Sequence, residues 1–388
     1  MSTNKYDIII AGGGLSGLSL AWYLAKGGYK GDVLVVDSTF APQNNKTWCF
    51  WDKTNPPFQE IIFKKWNKSF FSALDYETFL YMNTYSYYCV RESDFKEFVL
   101  TELQKHKNFD LLEESILDFS SNKNKAVLVT KNSDTYLADY IFQSTFKPNP
   151  DFGKEPKYPI VQHFLGFEIK TNFPVFDPAT ITLMDFDEEC SNGVAFMYIL
   201  PFKGNRALIE YTIFSEQPLE KKKYYRKKIR AYLKEKYNLD KEDYEVKRKE
   251  YGEIPMEDRS YPPLYASKVI NLGTVGGLTK PSTGYTFKKI QDYTSELAES
   301  LIKGKEPLLP QKSDARYRYY DLLVLHILYN SNEESLRVFR DLFKNNTIDD
   351  IFNFLSENTS LLEDLKIMSS VPYIPFFKAI SKNLKLNY

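Results

Sequence analysis

Gly12, Gly14 and Gly17 stand in G-x-G-x-x-G spacing directly after the β-branched run Ile8 to Ile10, and a second apolar run, Val33 to Val36, ends on Asp37. Glycines at these intervals let a backbone approach a pyrophosphate at the start of a helix, here beside Leu15 and Ser16. An acid closing the next strand accepts a hydrogen bond from a ribose. The spacing alone is weak evidence. Strand, turn, helix, strand and acid in that order specify a dinucleotide site. The helix between them carries Leu18, Ala21, Trp22 and Leu24 and stops at Gly27 and Gly28,.

The elements that must complete this site lie far along the chain. Val269 to Leu272 reads as a strand, followed by a glycine turn with Gly276 and Gly277. Pro281 to Gly284 then leads into a helix over about 287–302, whose positive N-terminal end would face a flavin. No second fingerprint exists for a nicotinamide, so a flavoprotein is favoured, its reductant visiting without a domain of its own. Between the two glycine turns, 162–170, 179–186, 194–201 and 206–214 read as strands, with a small antiparallel sheet over 111–143. Arg91 to His106 reads as a helix, and 44–51 as a polar-then-aromatic loop near the cofactor. The predicted fold is α/β: a discontinuous Rossmann-type FAD-binding domain (1–155 and 265–305), an inserted antiparallel-sheet substrate domain (156–264) and a helical tail (306–388). That is the hydroxylase-like flavoprotein plan.

Composition narrows the partners. The 388 residues carry 51 basic and 51 acidic side chains, so overall charge argues for no nucleic-acid partner. Three cysteines and three histidines, all scattered, suit neither a disulfide framework nor a metal centre, and imply a reducing compartment. A fingerprint starting at residue 7 leaves no room for a signal peptide, and no stretch is apolar enough to span a bilayer. Aromatic residues make up 16%, which suits a large apolar ligand, although an aromatic core accounts for most of it. The helix over 221–236 has a dense basic face, read as solvated surface, with contact to an anionic membrane as the sharper alternative.

Several further motifs choose among the enzymes sharing this plan. They are Lys46-Thr-Trp-Cys-Phe-Trp51, Gln162 to Glu168 with Gly166, Met184-Asp185, Tyr198 to Pro201, Leu208-Ile-Glu210-Tyr-Thr212, Ile254-Pro-Met256 read as a turn, Gly276 to Tyr285 and Arg316 to Asp321. Together they resemble the bacterial and plant lycopene β-cyclases over nearly the whole chain. Tyr211 and Lys280 depart from the pattern, where many members have Asp and His. The resemblance implies a redox-neutral cyclisation of lycopene, or a related linear carotenoid, to γ-carotene and β-carotene. It implies FAD active in the reduced form, NADPH as electron donor, and a cytoplasmic enzyme held peripherally on the inner face of the membrane. The alternative is a geranylgeranyl-type isoprenoid reductase or another flavoprotein acting on a polyprenyl substrate.

Within that reading Glu210 is the general acid. Alternation puts Leu208, Glu210 and Thr212 on one face, and burial there would raise a carboxyl pKa enough to keep its proton. Asp185 is a candidate second carboxylate beside it. Trp48, Phe50, Trp51 and Tyr198 are candidates for substrate contact, since aromatic faces stabilise a cation without attacking it. Gly276, Gly277 and Gly284 are expected on the flavin side.

Overall fold

The computed structural model describes residues 4–44, 46–53, 55–145 and 155–383. Its parallel core forms where the sequence has unbroken apolar runs. Asn4–Ala11 lies between Thr135–Gln143 and Val33–Asp37, parallel to both, and Phe109–Glu113 adds beyond Val33–Asp37. Val269–Asn271 continues the sheet beside Thr135–Gln143. Ile8 to Ala11 and Val33 to Val36 are all buried, as strands covered on both faces must be. The covering helices include Leu15–Lys26, Glu92–Leu103 and Phe287–Ile302. Ile116–Ser121 and Ala126–Thr130 form the antiparallel attachment expected over 111–143.

The second sheet has seven strands, in the order Tyr244–Met256, Ile160–Thr171, Arg206–Ser215, Val194–Lys203, Thr180–Asp187, Lys68–Ala73 and Tyr76–Tyr81. Two features differ from the sequence reading. The hairpin over 68–81, placed by position in the nucleotide domain, joins this sheet instead, because alternation in Lys68–Ala73 buries Ser69, Phe71 and Ala73. Ile254 to Met256 is not a turn but the end of a long edge strand paired with Ile160 to Gln162. The aromatic segment also differs. Thr47–Asp52 is a strand, antiparallel to Ser86–Arg91, because both of its faces are packed.

One face of the seven-stranded sheet is dry core. Ile209, Tyr211 and Ile213 there meet Tyr225, Ile229 and Leu233 of the helix Lys223–Tyr237. That helix therefore spends its apolar stripe on the sheet and turns its basic side outward. The opposite face is shared by the cavity described below and by the helical tail. Leu322, Leu325, Phe343 and Phe352 of the tail pack among Phe71, Phe186 and Leu200, and Phe343 stacks on Phe71 with ring centres 4.2 Å apart.

A buried ion cluster ties the tail to the turn at 280–286. Lys280 Nζ lies 3.0 Å from both Asp321 Oδ1 and Glu357 Oε1, and Ser282 Oγ donates to Asp321 Oδ1 at 2.5 Å. Lys280 and Asp321 are 5% and 4% exposed. A buried ammonium is stable only with such partners. This accounts for a lysine at a position the resemblance left in doubt.

Candidate active site

A single cavity of about 820 Å³ joins the two sheets. At one end it is lined by Gly13, Gly14, Leu15, Ser16 and Asp37, and at the other by Leu208, Glu210, Thr212 and Glu250. Its middle is walled by Thr47, Trp48, Cys49, Gln162 and the segment from Thr283 to Phe287.

The glycines divide the work. A Cβ on Gly17 would lie 2.0 Å from the Gly12 carbonyl oxygen, and one on Gly12, at φ +115°, 2.4 Å from Ser144 Oγ. These two permit close packing of the turn. A Cβ on Gly14 would meet nothing within 4 Å, so this glycine opens onto the cleft. The helix starting at Leu15 has no acidic residue in its first turn, which leaves its N-terminal amides to an anion. Asp37 sits at the cleft edge, its Oδ2 accepting from Gly13 N at 2.5 Å and its Oδ1 from Thr39 N at 3.1 Å. These residues fit an adenine dinucleotide. The late turn contributes Gly284, whose φ of +72° suits glycine,. Gly276 and Gly277 do not line the cavity. A Cβ on Gly276 would lie 2.6 Å from the Asn271 carbonyl oxygen, and Gly277 backs onto Tyr261; they shape the turn from behind.

At the far end, Glu210 is 7% exposed. It stands in register with Tyr198 on one side and Gly166 on the other, and Gly166 is in turn opposite Glu250. A Cβ on Gly166 would lie 2.9 Å from Glu210 Cγ and 3.1 Å from Glu250 Cγ. The glycine thus leaves the gap across which two carboxyls face each other. Burial, and then the charge of and hydrogen bonding to Glu250, push the Glu210 carboxyl well above the usual carboxylate range,. Glu250, 4% exposed, accepts on Oε2 from Thr47 Oγ1 at 2.9 Å and from Arg248 Nη1. Arg248 Nε also bonds Glu168 Oε2 at 2.9 Å, and Arg206 Nε bonds Glu168 Oε1 at 2.6 Å. The cluster holds three carboxyls and two guanidiniums, so one proton makes it neutral. Among the described residues the ion pairs go to Glu168 and Glu250 and none to Glu210. Glu210 is therefore where that proton belongs.

Asp185 is not beside Glu210. It pairs in register with Met197, which pairs with Tyr211, so it shares the sheet face opposite Glu210. There it accepts a hydrogen bond from Tyr232 Oη at 2.6 Å. A register shift between Thr182 and Asp185 reverses the face that simple alternation would assign. The second carboxylate is Glu250, which the sequence reading missed.

The aromatic candidates separate by what each side chain packs against. Trp48 and Tyr198 line the cavity. Phe50 is buried in the nucleotide domain, stacked on Phe287 at 4.3 Å, and Trp51 stacks on Phe352 of the tail at 4.4 Å while its Nε1 donates to Ser356 Oγ. These two are packing residues. Two tyrosines not anticipated from sequence complete the wall. The Tyr87 hydroxyl is 2.8 Å from that of Tyr198 and 2.6 Å from that of Tyr285.

The arrangement sets a buried carboxyl that can give up a proton at one end of a cavity whose other end fits a dinucleotide. Comparison with known proteins points the same way. A family model described as lycopene cyclase protein matches residues 7–381. A lycopene beta-cyclase of Pseudescherichia vulneris is 22% identical over 388 residues, covering 96% of each chain. Among solved structures, a geranylgeranyl bacteriochlorophyll reductase-like protein from Thermoplasma acidophilum is similar over the whole of both chains, with a TM-score of 0.61 at 14% identity. A mutant of the halogenase PltM in complex with FAD has a TM-score of 0.57 at 13% identity, over 91% of this chain and 79% of its own. At these identities the structural likeness establishes the fold, that of FAD-dependent flavoproteins.

Proposed function

The chain belongs to the lycopene cyclase family, and on that footing we propose that it is a β-cyclase, closing the linear ends of lycopene into β-rings to give γ-carotene and then β-carotene. FAD is its cofactor, active when reduced, and NADPH the electron donor. The observation that carries this reading is Glu210, a buried, proton-holding carboxyl at the apolar end of a cavity whose other end is a dinucleotide cleft.

Gly14, Ser16 and Asp37 would hold the cofactor at the cleft, with Gly284 shaping the late turn that lines the same cavity. Bound and reduced, FAD would supply electron density close to a positive charge on the substrate. Phe164, Leu208 and Phe214 line the other end and keep water from the reacting carbons. Glu210 gives its proton to the terminal double bond, and the tertiary cation is attacked by a neighbouring double bond to close the ring. Loss of a proton then leaves the β-ring, so no atom is gained and no electron consumed. Trp48 and Tyr198 offer π faces to the cation. The Tyr87, Tyr198 and Tyr285 hydroxyls bond one another, which restrains their oxygens from capturing it.

Expression in a lycopene-accumulating bacterium tests the reading. Bicyclic or monocyclic pigment of unchanged mass is expected. Added hydrogen would instead indicate a geranylgeranyl-type reductase, added oxygen a monooxygenase, and unaltered bound pigment a carrier.

No helix among the described residues is long and apolar enough to cross a membrane. Access to a bilayer substrate then falls to a surface. Leu361, Leu362 and Leu365 on one tail helix and Tyr373, Ile374 and Phe377 on the next are all more than half exposed. We assign peripheral contact with the inner face of the membrane to these six. The protein is expected to sediment with vesicles, more strongly with anionic lipid, and Leu362→Asp with Phe377→Asp should abolish sedimentation while leaving flavin content unchanged. Sedimentation of the double variant at wild-type levels would remove the tail from that role.

A further inference from the structure

Cyclisation needs a base as well as an acid. The carbon that gains a proton and the carbon that loses one are both bonded to the same atom of the closing ring. A donor and an acceptor that sit side by side can therefore reach both. Glu210 and Glu250 are so placed, separated only by the space above Gly166, where any side chain would overlap both. We propose that Glu250 is the catalytic base that removes the ring proton and then returns it to Glu210 directly across Gly166.

This inference rests on the cyclase reading and assigns a role to a residue that reading does not need for its first step. Two donors fix the placement of Glu250. Thr47 Oγ1 receives a hydrogen bond from Arg248 Nη2 at 2.7 Å, so its own proton is directed to Glu250 Oε2. The Arg248 guanidinium donates to the same oxygen. A carboxyl receiving two donors, one of them a guanidinium, is set in place as an acceptor. Arg248 is itself anchored through Glu168, which is 1% exposed.

The atoms balance. The Glu210 O–H bond breaks as a C–H bond forms on the terminal alkene. The neighbouring alkene supplies the electron pair for the new ring C–C bond. A ring C–H bond then breaks, its electrons become the ring double bond, and its proton goes to the Glu250 carboxylate. Glu250 is now the acid and Glu210 the carboxylate, and transfer between them restores the starting state. No oxidant, reductant or water is consumed.

Glu250→Asp keeps a carboxylate but draws it back by one methylene, so it slows proton removal more than proton addition. The test compares lycopene with lycopene deuterated at the carbon that loses its proton, in separate single-turnover reactions on FAD-loaded enzyme. A primary isotope effect larger than that of the wild type is expected for Glu250→Asp, and none of that increase for Glu210→Asp, whose defect is in proton addition. Glu250→Gln should lower β-ring formation by about a hundredfold. A purely structural role for Glu250 would lower the rate without making it sensitive to the label. Equal rates for both substrates with Glu250→Asp, an unimpaired Glu250→Gln enzyme, or a Glu250→Asp enzyme that binds FAD yet makes no ring each overturn the proposal. Wild-type protein that makes no cyclic pigment would instead overturn the cyclase reading, before any variant is measured.

Discussion

Glu210→Gln should leave a folded, FAD-binding protein whose cyclisation rate falls by at least about a hundredfold, the usual loss when a general acid is removed. Glutamine preserves volume and can still hydrogen-bond to Glu250, and it leaves the pairing of Arg248 with Glu168 and Glu250 undisturbed. The substrate is a hydrocarbon and offers no polar group to replace the missing proton. The same argument predicts the pH profile. The Glu210 carboxyl is held well above the usual carboxylate range by burial and by Glu250, so its protonated, active form persists at neutral pH. Activity should fall as pH rises through that raised value. Rates of pigment formation under reducing conditions check both. Near-normal turnover by the glutamine variant would move the acid's role to the cofactor.

Gly14→Val should give a folded protein without flavin. The usual objection to glycine replacements, that the fold fails first, does not apply here. Gly14 has φ −90° and ψ −167°, a region open to β-branched residues, and among the described residues no atom beyond its chain neighbours lies within 4 Å of its added Cβ. The new side chain would project into the cleft where the pyrophosphate belongs. Gly17→Val is the contrasting case, with its Cβ driven onto the Gly12 carbonyl. Flavin absorbance and a circular-dichroism melt on both variants separate loss of cofactor from loss of fold. Stoichiometric FAD on the Gly14 variant would contradict the assigned cleft.

The nucleotide-binding half was legible because its signals are local. Apolar runs, glycine spacing and a terminal acid fall within residues 7–37, and the structure assembles them in that order. The face of Glu210 was legible from simple alternation. Asp185 failed because a bulge breaks alternation two residues before it, and a register shift leaves no mark in composition. Glu250 was missed because it lies in Lys247-Arg-Lys-Glu-Tyr-Gly-Glu253, which reads as solvated. A weak signal was present: Arg248, Glu250 and Gly252 share one parity, and an arginine two residues from a glutamate can neutralise it on the same strand face. What no local pattern could show is that a glycine on a strand far earlier in sequence, Gly166, holds the space between the acids. The aromatic run at 48–51 was identified as important but not divided, since Trp48 and Phe50 share one strand face and only their neighbours decide which of them meets the cavity.

The hairpin over 68–81 sets an order on synthesis. Its partner strand, Thr180–Asp187, leaves the ribosome on the order of ten seconds later at ordinary elongation rates, and until then the hairpin has no sheet to join. Phe71 and Leu80, buried in the finished molecule, must wait in the open, as must one unpaired strand edge. Folding of this sheet therefore cannot proceed from the N-terminus as the chain emerges. The newborn protein spends that interval as a substrate for chaperones, and its yield in a foreign host depends on how well they guard those few residues.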